Sequence, residues 1–195
     1  MNADQAALLR AIFAGTALDD QVVDFATALG GAPQPQGGLL LVGTPAEEPW
    51  HFAAHLTDEA RYAGRAELTP TLVRWQVPQG APAHLAVGLA RLEVVRARET
   101  LLVVAPDQTP ERLLDRLADA RKAGALVMAI DAGDTDLQGL AHESLTVPAI
   151  GEAPYLDVVQ HLVSQAAPNA RSKPSVRSRL GRLLDRVQGA PYSPD

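Results

Sequence analysis

The sequence predicts an α/β domain, a three-layer α-β-α sandwich built on a mainly parallel sheet. Three observations carry that expectation. Gly38-Leu-Leu-Leu-Val-Gly43 is a continuous apolar run closed by glycine, the pattern of a strand covered on both faces. Thr100–Ala105, Pro110–Ala123 and Ala125–Ile130 read as strand, helix and strand, a βαβ unit whose crossover is right-handed because strands twist one way. Strands and helices also alternate along most of the chain, which favours helices on both faces of the sheet.

Taken in order, Ala3–Ala14 places Ala7, Leu8, Ala11 and Ile12 at helical spacing, with Asp4 suited to the positive end of the helix dipole. A second helix runs from Asp19 or Asp20 to Leu29, with Val22, Val23, Phe25, Ala26 and Leu29 on its apolar side and Gly30-Gly31 as its stop. Breaker-rich residues 33–38 lead into the first strand. Glu47–Ala63 follows as a helix entered through Thr44-Pro45. Thr71–Val77 is β-branched and aromatic enough for a strand between Pro70 and Pro78, and Pro82–Val95 reads as helix. After the βαβ unit come a short helix at Asp136–His142, a short strand at Leu145–Val147 and a helix at Pro154–Ala167. The expected organisation is N-terminal helices over 1–35, the α/β domain over 36–170, and a basic linker and helix over 171–195.

Composition narrows the function classes. With 195 residues, 47% hydrophobic and 21% charged, the chain can bury one sizeable core and is not disordered as a whole. The absence of cysteine removes disulfides, thiolate metal sites and cysteine nucleophiles, and suits a reducing compartment. No apolar run reaches the ~18 residues of a membrane span and no basic segment opens the chain, so no transmembrane segment and a cytoplasmic location are expected. The net charge of −6 is unevenly spread. Residues 171–195 hold Arg171, Lys173, Arg177, Arg179, Arg182 and Arg186 against Asp185 and Asp195, a net +4 that leaves −10 for the rest. An acidic body repels nucleic acid and anionic lipid, so nucleic-acid binding is disfavoured except through the tail.

The segment Glu99-Thr-Leu-Leu-Val-Val-Ala-Pro-Asp-Gln-Thr-Pro-Glu-Arg-Leu-Leu, with Ala120-Arg-Lys-Ala-Gly124, Val127-Met-Ala-Ile130 and Leu137 to Pro148, resembles the sugar isomerase (SIS) domain family. The resemblance is nearest the phosphoglucose/phosphomannose isomerase-like branch and covers residues 36–167. It implies the fold, and in the family a Ser-x-Ser-Gly-x-Thr loop holds a sugar phosphate by hydroxyls and backbone amides at a helix N-terminus, a ligand that the departures here argue against. The positions matching that Ser-x-Ser-Gly-x-Thr loop are Val104, Ala105, Pro106, Asp107, Gln108 and Thr109. Both serines and the glycine are replaced. Pro106 has no amide hydrogen, Asp107 sets a carboxylate against an incoming dianion, and Thr109 remains as the one matching donor. The first glycine-rich loop is altered as well, because Gly43 is followed by Thr44-Pro45-Ala46-Glu47-Glu48. The candidate ligand-binding residues implied are Gly43, Thr44, Asp107, Gln108 and Thr109. In the isomerases a glutamate moves the proton and a histidine opens the ring, so Glu59, His142 and His161 are the candidate catalytic residues.

Other groupings carry two readings each. His51, His55 and Glu59 lie at i, i+4 and i+8, open to a metal or to a solvated helix face and subunit contact; the second is preferred and no metal is assigned. Asp131, Asp134 and Asp136 suit either magnesium or a turn with an N-cap, and the turn is preferred. In the tail, Val176, Leu180, Leu183, Leu184 and Val187 recur at helical spacing among arginines, a basic amphipathic helix expected to dock on the acidic body of its own or a partner subunit, with a membrane surface, nucleic acid or a protein partner as the alternatives. The preferred expectation is a non-catalytic SIS-like homodimer without a cofactor, working through subunit and partner contacts. The alternative is a phosphosugar-binding protein or phosphosugar isomerase with a rebuilt site.

Overall fold

The structure is a computed structural model that describes residues 17–32, 35–147 and 155–170. Its elements are α1 (Ala17–Gly30), β1 (Leu39–Val42), α2 (Trp50–Tyr62), β2 (Thr71–Val73), β3 (Thr100–Ala105), α3 (Glu111–Lys122), β4 (Leu126–Asp131), α4 (Thr135–Leu140), β5 (Glu143–Thr146) and α5 (Tyr155–Ala166). The helices expected at Ala3–Ala14 and across 176–187 lie outside the described residues.

The five strands form one sheet in the order β2-β1-β3-β4-β5, and every pairing is parallel. Alternation along each strand sends side chains to two separate cores. Leu39 and Leu41 of β1 join Leu102, Val104, Met128 and Ile130 under α1, α2 and α5. Leu40 and Val42 join Leu101, Val103, Val127 and Ala129 under α3 and α4. Every residue of β1 and β3 is buried, which is why both read as uninterrupted apolar runs. Each leucine so enclosed contributes about 1.5–3 kcal/mol of transfer free energy.

Three expectations need correction. Val23 is 52% exposed, because α1 buries only the narrower stripe Val22, Phe25, Ala26 and Leu29. The strand expected across Thr71–Val77 stops at Val73, beyond which Arg74 makes an isolated bridge to Gly88 and the Trp75 indole donates to the Gly43 carbonyl at 2.7 Å. Pro82–Val95 is not an α-helix but two 3-10 turns, Ala83–Leu85 and Leu89–Val94. Gly88 between them is extended at φ −101° and ψ 178° and is bridged to Arg74, whose amide donates to the neighbouring Val87 carbonyl at 2.8 Å. The buried Leu89, Leu92 and Val95 then follow a three-residue period, which suits a 3-10 turn better than an α-helix.

Candidate functional site

In a 2-1-3-4-5 parallel sheet the chain leaves β1 for a helix on one face and β3 for a helix on the other, so the loops diverge above the carboxyl ends of these two strands. Open α/β sheets bind ligands in that crevice. Val42 pairs with Val103, so Gly43-Thr44 and Pro106-Asp107 flank it directly.

The first loop is shaped by contact. A Cβ added to Gly43 would stand 1.8 Å from the Glu47 carbonyl oxygen, so only glycine fits. The Gly43 carbonyl accepts from Trp75, while the Glu47 amide donates to the Thr44 carbonyl at 3.2 Å. Thr44 is fully buried, and its hydroxyl donates to Asp107 Oδ1 at 2.6 Å. That bond bridges the crevice, placing a carboxylate of the chain itself on the hydroxyl that faces it.

The second loop is likewise committed inward. The Thr109 amide donates to Asp134 Oδ2 at 2.7 Å, and Asp134 N-caps α4 by accepting from the Asp136 and Leu137 amides. Burial pushes the Asp134 carboxyl up, but hydrogen bonds from the Thr109 amide and from the two cap amides outweigh it. The group is held below the usual carboxylate range. Asp131 Oδ1 accepts from the Gly133 and Asp134 amides and from the Gln138 side chain. The Asp131–Asp136 segment is therefore a hydrogen-bonded turn with an N-cap. Gln108 and Asp107 are exposed. The cation beside this mouth, Arg74, pairs with Glu48 at 3.0 Å and lies 4.5 Å from the Trp50 ring centroid.

The candidate catalytic residues are not brought together. Glu59 lies nine residues along α2 from Trp50, roughly 14 Å down the axis away from the crevice. His142 sits at the opposite end of the sheet, where its Nδ1 accepts from the Val127 amide at 3.0 Å and its own amide donates to the Val127 carbonyl. Burial and the Arg121 guanidinium push its imidazole below the usual histidine range, which keeps Nδ1 available as an acceptor. His161 is buried where α5 packs on α2, its Nε2 2.9 Å from Gln165 Nε2.

The helix interface holds a grouping that spacing alone did not reveal. The rings of His55 and His161 meet edge to face, with centroids 4.6 Å apart and an 84° interplanar angle. With His51, Phe52, Asp157 and Gln160 they line a cavity of about 30 Å³. Burial and the Asp157 carboxylate push Glu47 above the usual carboxylate range, with His51 opposing them. Gln160 is 3% exposed and its Nε2 has no hydrogen-bond partner. Among the described residues, no three His, Asp or Glu side chains are arranged to hold a metal ion.

No family model matches the chain, and no curated protein matches it. Solved structures do share its architecture. The sugar isomerase domain of an RpiR transcription factor from Sphaerobacter thermophilus aligns over 97% of this chain and 100% of its own, at 14% identity and a TM-score of 0.52. A Salmonella typhimurium LT2 protein provisionally named as sugar binding aligns over 95% of this chain at 15% identity and a TM-score of 0.56. Another from the same organism, provisionally named a phosphosugar isomerase, aligns over 89% at 12% identity and a TM-score of 0.52. The chain spans only about half the length of the two Salmonella proteins, 53% and 51%. A five-stranded parallel sheet in this order, matched along its whole length by the first of these domains, is the sugar isomerase domain fold.

Proposed function

We propose that this chain is a non-catalytic, cytoplasmic protein of sugar isomerase fold that works as a homodimer and through partner contacts. Its motifs stand nearest the phosphoglucose/phosphomannose isomerase-like branch, and its basic tail serves as a contact for a protein partner. The observation that carries this reading is the 2.6 Å hydrogen bond from Thr44 to Asp107. An anion entering the crevice must break that bond and meet a carboxylate at close range, where like charges repel most strongly. The Thr109 amide is already turned to Asp134, and the buried Thr109 hydroxyl alone, left without a hydrogen-bond partner, offers little in exchange. By its name, the S. thermophilus domain belongs to a transcription factor.

Calorimetric titration with a panel of hexose and pentose phosphates tests the proposal, with no saturable heat expected. Saturable binding or isomerisation refutes it. Thr109→Val tests the crevice in particular, since a phosphosugar site there loses most of its affinity and a scaffold changes little.

The second reading, phosphosugar binding or isomerisation at a rebuilt site, draws on the side chains around the cavity between α2 and α5, which at about 30 Å³ is the size of one water and has to open to admit a sugar phosphate. His55, His161 and Asp157 supply groups able to exchange protons, and Gln160 holds an unused donor. It requires saturable binding that His161→Gln abolishes.

A further inference from the structure

Two carboxylates lie inside the domain at the carboxyl end of β4, Asp131 at 0% exposure and Asp134 at 2%. Asp131 pairs in register with Ala105 and continues the alternation of Val127 and Ala129, so its side chain enters the layer of α3 and α4. Among the described residues, no lysine, arginine or histidine forms an ion pair with either aspartate. The groups that donate to them are neutral amides. A buried charge that no opposite charge answers is among the costliest arrangements in a folded chain.

Their four oxygens are served unequally. Asp131 Oδ1 accepts from the Gly133 amide at 2.8 Å, the Asp134 amide at 3.1 Å and Gln138 Nε2 at 2.7 Å. Asp134 Oδ1 accepts from the Asp136 and Leu137 amides, both at 3.1 Å, and its Oδ2 from the Thr109 amide at 2.7 Å. Asp131 Oδ2 has no donor, and the Thr109 hydroxyl, on a residue only 6% exposed, has no partner either. Asp134 links the two residues, holding the Thr109 amide with its carboxylate while its own amide donates to Asp131.

We propose that this turn binds a monovalent cation of the potassium or ammonium class, held by Asp131 Oδ2 and the Thr109 hydroxyl, with backbone carbonyls of the two loops completing its shell. Magnesium and calcium favour several carboxylates or retained waters, whereas this position offers one free carboxylate oxygen sealed from solvent. An ion entering it sheds its water, and that penalty is smallest for a large ion of single charge. The surroundings draw cations as well. Asp107 and Asp136 are exposed at the same edge of the sheet, and Arg74 is already paired with Glu48. The bound ion ties the loop after β3 to the turn after β4 and so fixes one wall of the crevice. This goes beyond the scaffold reading, and the two fail separately because the test contains neither sugar nor partner.

The test is calorimetric melting of the full chain at constant ionic strength, with potassium chloride replacing choline chloride, whose cation is too large to enter. Potassium at about 150 mM, bound with a dissociation constant of about 10 mM, should raise the midpoint saturably by about 3–7 °C. Ammonium should match it, and lithium, small and strongly hydrated, should fall well short. Thr109→Val and Asp131→Asn should each abolish most of the shift, while Asp136→Asn, which alters an exposed neighbouring carboxylate, should keep it. If Asp131→Asn does not fold, Thr109→Val decides alone. Equal midpoints in potassium and choline, an equal shift with lithium, or a shift that Thr109→Val leaves whole would each overturn the inference.

Discussion

The mouth above β1 and β3 and the cavity between α2 and α5 treat their polar groups in opposite ways. At the mouth most groups are answered from within the chain, Thr44 by Asp107, the Thr109 amide by Asp134, and the Gly43 carbonyl by Trp75, while the Thr109 hydroxyl and Asp131 Oδ2 are left without a partner. Between the helices, His55 and His161 meet through ring edges, and the Gln160 amide nitrogen keeps an unmet donor. Burying such a donor costs about 1–3 kcal/mol, a cost a folded chain retains where packing requires it or a guest relieves it. A fold's usual ligand crevice can thus become structural while reactive side chains collect elsewhere.

The largest effect expected on this contrast comes from Gly43→Ala. A methyl group 1.8 Å from the Glu47 carbonyl forces the loop to move, releasing the turn that positions Thr44. Overpacking of this kind costs about 1–3 kcal/mol, or roughly 2–12 °C in thermal midpoint at this chain length, read by calorimetry. An unchanged midpoint would show the mouth to be pliable. Asp134→Ala comes next. It removes both the cap of α4 and the acceptor for Thr109, for about 1–2 kcal/mol at neutral pH. Because the folded Asp134 carboxyl lies below its usual range, its stabilisation is present above the unfolded value and lost as pH falls through the folded one. Urea midpoints of the parent and D134A proteins should therefore differ at pH 7 and converge in acid.

Much of the fold was legible because burial on both faces writes itself as an uninterrupted apolar run, as in Leu39–Val42 and Thr100–Ala105. The turn at Asp131–Asp136 was readable too, since an aspartate before a short helix caps it with its own side chain. Pro82–Val95 was misread because leucines three residues apart suit a 3-10 turn as readily as an α-helix, and the bridge that straightens Gly88 comes from Arg74, remote in sequence. The loops at Gly43 and Asp107 could be located, but the bond joining them depends on β1 and β3 being neighbours. The meeting of His55 with His161 was out of reach, because no local spacing tells which helix packs on α2.

A smaller effect tests the closure of the mouth itself. Thr44→Val and Asp107→Ala each remove one end of the bridging bond, and their double-mutant cycle should give about 0.5–1.5 kcal/mol of coupling. Exposure of Asp107 places the value toward the lower end. Additive single effects would mean that the bond contributes nothing and the crevice stands open to anions.

The smallest effect sits on the rim shared by the two regions. Burial and the Asp157 carboxylate hold the folded Glu47 carboxyl above its usual range, so the native state binds this proton more tightly than the unfolded chain. Stability therefore falls as pH rises from the ordinary carboxylate value through the raised one, and Glu47 stays mildly unfavourable above it. Glu47→Gln removes that charge. The variant should gain no more than about 0.5 kcal/mol at pH 7, the usual range for a surface change, and none near pH 4. Its urea midpoint against pH should be flatter than the parent's across that window. A loss at pH 7 would mean that ionised Glu47 stabilises the fold through His51, and that the rim between mouth and cavity is held together by charge.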